Sequence, residues 1–246
     1  MLFLLRQIRR KLLMKNKVTT YLLYGIGEII LVVIGILIAV QLDNWNESKN
    51  DRKKELSYLV SYANDIKQNI EELERVDLRS ARLAKTADSL IHILITSEND
   101  NKESTLGSLI IDLIGYTKYL SQEGTTENLL GAGSLEIIQN LKIRASFVTQ
   151  EADEKRLRAS ELYMFSAFNE YMDYVNKNTK IYNDRLGKPI VDKTILKLLS
   201  NDTYFLNIID DLSIIYRESN ENYVTRKKQL KDLLKIVEAE IQKLES

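Results

Sequence analysis

The stretch Tyr21–Leu42, YLLYGIGEIILVVIGILIAVQL, holds a single charged residue, Glu28. As a helix it measures about 33 Å, which matches a hydrocarbon core of about 30 Å. Each Leu, Ile and Val in it favours insertion by roughly 0.3–0.6 kcal/mol, and together they outweigh the roughly 3 kcal/mol that Glu28 costs at most at mid-bilayer. A cleaved signal peptide has an apolar core of only about 7–15 residues and a small-x-small cleavage site, which Val40-Gln41-Leu42-Asp43 does not offer. The run therefore reads as an uncleaved signal anchor, and the chain as an arm (1–20), a span (21–42) and a body (43–246).

Charge gives the span a direction. Arg6, Arg9, Arg10, Lys11, Lys15 and Lys17 precede Tyr21 with no acid among them. The positive-inside rule keeps this arm in the cytoplasm and sends the body to the periplasmic side of the inner membrane, with Tyr21, Tyr24 and Trp45 as interfacial aromatics. Leu5, Ile8 and Leu12 share one face of the arm, while Arg6, Arg9, Arg10 and Lys11 are expected to meet lipid head groups. Six of the 35 basic residues lie in the arm and one of the 35 acidic residues lies in the span, so the body keeps 29 basic and 34 acidic residues. A body with a net charge of −5 argues against a nucleic-acid partner. Within the span, Glu28, Gly35 and Ala39 fall within about 20° of one face, and Gly35-x-x-x-Ala39 is a small-xxx-small pair suited to packing a second copy or another membrane protein.

The body is short of breakers. Nine Gly and one Pro, Pro189, disfavour a many-turned β fold, and neither residue occurs between Gly35 and Gly107, between Gly133 and Gly187, or after Pro189. Long helices belong in those stretches. The first carries Leu56, Leu59, Ala63, Ile66, Ile70 and Leu73, then Ala84, Ala87, Ile91 and Leu94, with Asp77 and Ser80 on the same seam. The loop Ser97–Thr105 ends it, and a shorter helix is expected from about Leu106 to Leu120. SQEGTTENLLGAGS is the most irregular stretch, and Ser134 is placed to cap the segment after it. An aromatic-rich helix carries Phe147, Leu162, Phe165, Phe168, Met172 and Val175, with Gly187 and Pro189 as its stop signal. After a short helix near Thr194–Leu199, Asp202 can cap a last helix with Leu206, Ile209, Leu212, Leu230, Leu234, Val237, Ile241 and Leu244 on one stripe. The expected fold is all-α: an N-terminal transmembrane helix followed by an antiparallel bundle of three to four long helices.

Two segments resemble those of a known family. Tyr21–Glu47, YLLYGIGEIILVVIGILIAVQLDNWNE, is similar to the opening signature of a family of single-pass membrane proteins of unknown function from Bacteroidota. Leu129–Arg144, LLGAGSLEIIQNLKIR, resembles that family's mid-chain pattern less closely. The resemblance implies a membrane-anchored helical protein and carries over no catalytic residue.

Reactive chemistry is sparse. With no Cys and one His, thiol nucleophiles and typical zinc sets are out of reach, and Ser89 stands where a Glu-x-x-His motif would need its Glu before His92. Gly131-Ala132-Gly133 lacks the third Gly and the preceding strand of a dinucleotide loop, so it reads as a turn. The pairs Asp210 with Asp211 and Glu151 with Glu154 are expected on solvated helix faces. Tyr163, Phe165, Phe168, Tyr171, Tyr174 and Tyr182 are expected in the core rather than around a ligand. The reading is a noncatalytic, membrane-anchored interaction or scaffold protein without cofactor or metal. The alternatives are a ligand-sensing accessory subunit and an ion-coupled transducing subunit that uses Glu28.

Overall fold

The structure, a computed structural model, describes residues 17–96 and 102–246, so the arm residues Arg6, Arg9, Arg10 and Lys11 lie outside the described residues. The helices are α1 (Lys17–Ile95), α2 (Lys102–Asp112), α3 (Gly124–Gly131), α4 (Leu141–Asn178), α5 (Lys193–Asn201) and α6 (Thr203–Glu245), with 3-10 turns at Leu135–Ile137 and Ile181–Leu186. No strand occurs among the described residues, and the all-α expectation holds. The chain divides into two compact units, Met1–Lys54 and Glu55–Ser246.

The second unit is a bundle built on three long helices. Heptad spacing sets its seams. On α1 the buried line runs through Leu59, Tyr62, Ile66, Asn69, Leu73, Val76, Ser80, Leu83, Ala87, Leu90 and Leu94. On α4 it runs through Ile143, Phe147, Gln150, Glu154, Leu157, Glu161, Met164, Tyr171 and Val175, and on α6 through Phe205, Ile209, Leu212, Tyr216, Ser219, Tyr223, Arg226, Leu230 and Val237. Steps alternating between 3 and 4 residues keep each seam on one face. α6 runs against both partners: Asn140 Nδ2 donates to Glu240 at one end of α4, and Tyr174 Oη donates to Asp202 at the other. Lys67 meets Glu238 at 2.8 Å, while Asp88 accepts from Ser213. α1 and α4 run the same way, with Tyr62 stacked on Phe147 at 4.1 Å near the start of α4 and of the part of α1 that belongs to the second unit.

Parallel neighbours need a return leg, and here the sequence reading is corrected. The helix expected over Leu106–Leu120 ends at Asp112, and the chain continues through 114–123 without regular structure. Gly115 sits at φ +142°, a conformation open to Gly and strained for other residues. The stretch read as most irregular contains α3. Ser134 heads only a 3-10 turn and makes no side-chain cap, whereas Asn140 caps α4 by accepting from the Lys142 and Ile143 amides. α4 ends at Asn178, and Gly187, at φ +60°, closes the next 3-10 turn instead. Asp202 caps α6 as expected, accepting from Tyr204 and Phe205. Leu162 and Phe165 are exposed rather than core, because the α4 seam passes through Glu161 and Met164 beside them.

Candidate functional site

Two features stand out: the apolar part of α1 and a belt of buried polar groups in the bundle. In the first unit, an 18-residue window of α1 has mean hydropathy 2.5 and none of it is buried. Glu28, Gly35 and Ala39 share its exposed surface, and a Cβ added at Gly35 would meet nothing within 4 Å. The interfacial candidates Tyr21, Tyr24 and Trp45 are all exposed, and the Lys49 ammonium lies 5.5 Å from the Trp45 ring centre. An apolar helix with every side open requires lipid or another helix around it.

The belt lies in the second unit, interleaved with two apolar clusters, one around Tyr62, Phe147 and Leu230, the other around Leu90, Tyr171 and Phe205. It exists because residues 114–123 cross a helical core in extended form. An extended segment without a strand partner must find side chains for its backbone groups. The neighbouring seams supply them. Tyr216 Oη donates to the Gly115 carbonyl at 2.8 Å. The Tyr119 amide donates to Glu161 Oε1 at 2.7 Å, and Tyr223 Oη donates to the same oxygen at 2.8 Å. Asn69 pairs with Gln122 as a strand neighbour would, accepting from its amide at 2.6 Å and donating to its carbonyl at 3.0 Å. Beyond the segment, Asp65 accepts from the Thr125 amide in the first turn of α3, and Glu55 accepts from the Gln139 amide just before α4 at 2.6 Å.

Beside this path sits a buried charge cluster. The guanidinium of Arg226 donates to Asp153 Oδ2 at 3.0 Å and to Glu154 Oε1 at 3.2 Å, and the Arg226 and Glu154 side chains are each 5% exposed. This overturns the solvated reading of Glu154: the heptad step places it on the α4 seam while Glu151, one turn earlier, stays exposed. Burial pushes the Glu154 carboxyl above its ordinary range despite the attraction of Arg226. Burial raises Glu161 as well, against the lowering effect of the bonds from Tyr119 and Tyr223. The Tyr119 hydroxyl and Arg226 Nε have no hydrogen-bond partner among the described residues. Lys227 and Asp77 form a further ion pair between α6 and α1. Chemically the belt holds and orients backbone, with its carboxylates committed to amides, tyrosines and Arg226.

Other candidates are dispersed. His92 is exposed at the end of α1, as are Asp210 and Asp211 on α6. No group of three potential metal ligands occurs among the described residues. Tyr171 and Tyr174 are core, Phe168 is half-buried against Tyr116, and Tyr163, Phe165 and Tyr182 are exposed, so the six aromatics do not line one space. Gly133, at φ +62°, is the turn expected of it.

The family model that matches this chain is described as a family of unknown function (DUF6090) and covers residues 28–210. The chain belongs to this family. The match runs from within the apolar run of α1 through the return segment, α4 and α5 to the first turns of α6. No curated protein and no solved structure matches the chain.

Proposed function

We propose that this DUF6090 member is a noncatalytic, membrane-anchored scaffold. Its single N-terminal span is inserted with the basic arm in the cytoplasm, and its helical body is on the periplasmic side. The observation that carries the reading is the wholly exposed apolar part of α1, flanked by exposed Tyr21, Tyr24 and Trp45. Orientation follows from the six basic residues before Tyr21. The interaction role is supported by where the polar interior is used: its carboxylates and tyrosines fix the return segment, which leaves helix surfaces as the parts that meet partners.

Because the chain has no Cys, single cysteines report topology cleanly. With the outer membrane permeabilised, a membrane-impermeant thiol reagent should label Ser48→Cys and Ser246→Cys and leave Lys15→Cys unlabelled. Labelling of Lys15→Cys alone reverses the orientation, and release of the protein by alkaline carbonate removes the anchor.

A further inference from the structure

The outward face of α4 departs from those of its neighbours. Two positions before each seam residue lies the opposite side of a helix, 200° around at 100° per residue. In that register α1 separates its exposed apolar residues, Val60 and Leu78, with Lys67, Glu71, Glu74, Lys85 and Asp88, and α6 separates Ile214 and Val224 with Asp210, Arg217, Glu221 and Lys228, all exposed. α4 presents Leu141, Ala145, Val148, Ala152, Ala159 and Leu162, also all exposed, interrupted by one charge, Lys155. Leu141 is 72% exposed and Leu162 71%. The steps alternate 4 and 3 over three heptads, about 31 Å of helix. α4 thus carries two seams, one filled by the bundle and one open.

We propose that the open seam is a self-association surface on which two copies of this chain pair α4 with α4 as a parallel two-stranded coiled coil. The spacing puts Ala145, Ala152 and Ala159 at a positions and Leu141, Val148, Lys155 and Leu162 at d positions. Alanine at every seventh residue lets the two backbones approach, and the larger d residues fill the space on either side. The flanking charges choose the direction. In a parallel pair Glu151, at g, faces Arg156 of the partner subunit, at e, and the two-fold axis makes that contact twice. Arg156 is available: its side chain is 83% exposed and its contact with Asp153 is 3.7 Å long. An antiparallel pair would instead turn Glu151 toward Arg158, whose guanidinium is already bound to Glu123. Lys155 at a d position is drawn aside by Glu151, 2.7 Å away, and a lone polar residue in a seam fixes register at some cost in stability.

As the choice of a partner, this pairing rests on the interaction role proposed above, but the two fail separately. The test is oxidative crosslinking of single-cysteine variants of the full chain in isolated membranes, with helix content checked by circular dichroism. Ala152→Cys and Ala159→Cys should form disulfide dimers, and Glu221→Cys, on the outward face of α6, should form several-fold less. Glu151→Arg should weaken the crosslink at Ala159→Cys, and adding Arg156→Glu should restore it. Equal crosslinking at residues 152 and 221 overturns the pairing while leaving membrane attachment intact. A preference of Ala145→Cys for Leu162→Cys over a second Ala145→Cys overturns its direction. Crosslinks at residues 152 and 159 that persist in a chain released by carbonate sustain the pairing and sink the anchor.

Discussion

Arg226→Met should be among the most damaging substitutions in the bundle. Arg226 and Glu154 are each 5% exposed, and Asp153 is 19% exposed, so the guanidinium is the counter-charge for one fully buried and one mostly buried carboxylate. Removing one partner of a buried pair strands the other, which costs about 3–5 kcal/mol. For a bundle of this size each 1 kcal/mol is worth about 2–4 °C, so the melting temperature of the full chain in neutral detergent should fall by about 6–20 °C at pH 7. The loss should shrink with acid. Arg226 is what lowers the Glu154 carboxyl, so without it burial raises that group further. A folded-state pKa above the unfolded one adds stability that is complete below the unfolded value and is lost as pH rises through the folded value. Stability of Arg226→Met should therefore recover between pH 7 and about pH 5. Arg226→Met with Glu154→Leu should recover at pH 7 as well, since an apolar pair can replace a buried ion pair at little cost. A loss below about 1 kcal/mol, or one that does not change with pH, would refute the assignment of Arg226 as the charge that makes this core position tenable.

Glu161→Gln keeps an acceptor for the Tyr119 amide and Tyr223 but removes a carboxyl that burial raises, so it should flatten the stability gained between pH 7 and pH 5; an unchanged slope in pH-dependent melting counts against it. Gly115→Ala should cost about 1–3 kcal/mol in the same melts, because φ +142° is strained for Ala and its Cβ would fall 2.5 Å from the Arg79 guanidinium. In a reporter assay of span association, Gly35→Leu should reduce signal strongly and Glu28→Gln modestly, since Gln still hydrogen-bonds; signal unchanged by either substitution at matched expression and insertion excludes a homotypic span interface.

Much of the scaffold was legible. The apolar run, the breaker-free stretches and the Asp202 cap each depend on local chemistry, and each is found where the spacing put it. The α4 seam was misread because its large apolar residues are not all on it. Leu162 and Phe165 lie beside the line through Leu157, Glu161 and Met164, and counting aromatics favoured the wrong face. Glu154 looked solvated for the same reason: charge is a surface signal until a partner as distant in sequence as Arg226 is brought to it.

The return segment explains why the polar seam positions could not be read as a group. A fourth helix in that place would satisfy its own amides and ask its neighbours only for apolar contact. An extended chain instead passes its hydrogen-bonding need to the helices around it, so Asn69 on α1, Glu161 on α4 and Tyr216 on α6 occupy positions that a plain heptad would give to Leu or Ile. Each departure looks like a separate flaw in a single helix. Taken across three helices, they mark the path of one segment, and that segment, Gly115-Tyr116-Thr117-Lys118-Tyr119, follows a helix-breaking Gly with the β-branched and aromatic residues that suit extended backbone better than helix. Polar residues that recur along the facing seams of several helices are thus the sequence trace of a non-helical neighbour, and here they locate the leg that lets α1 and α4 run in the same direction.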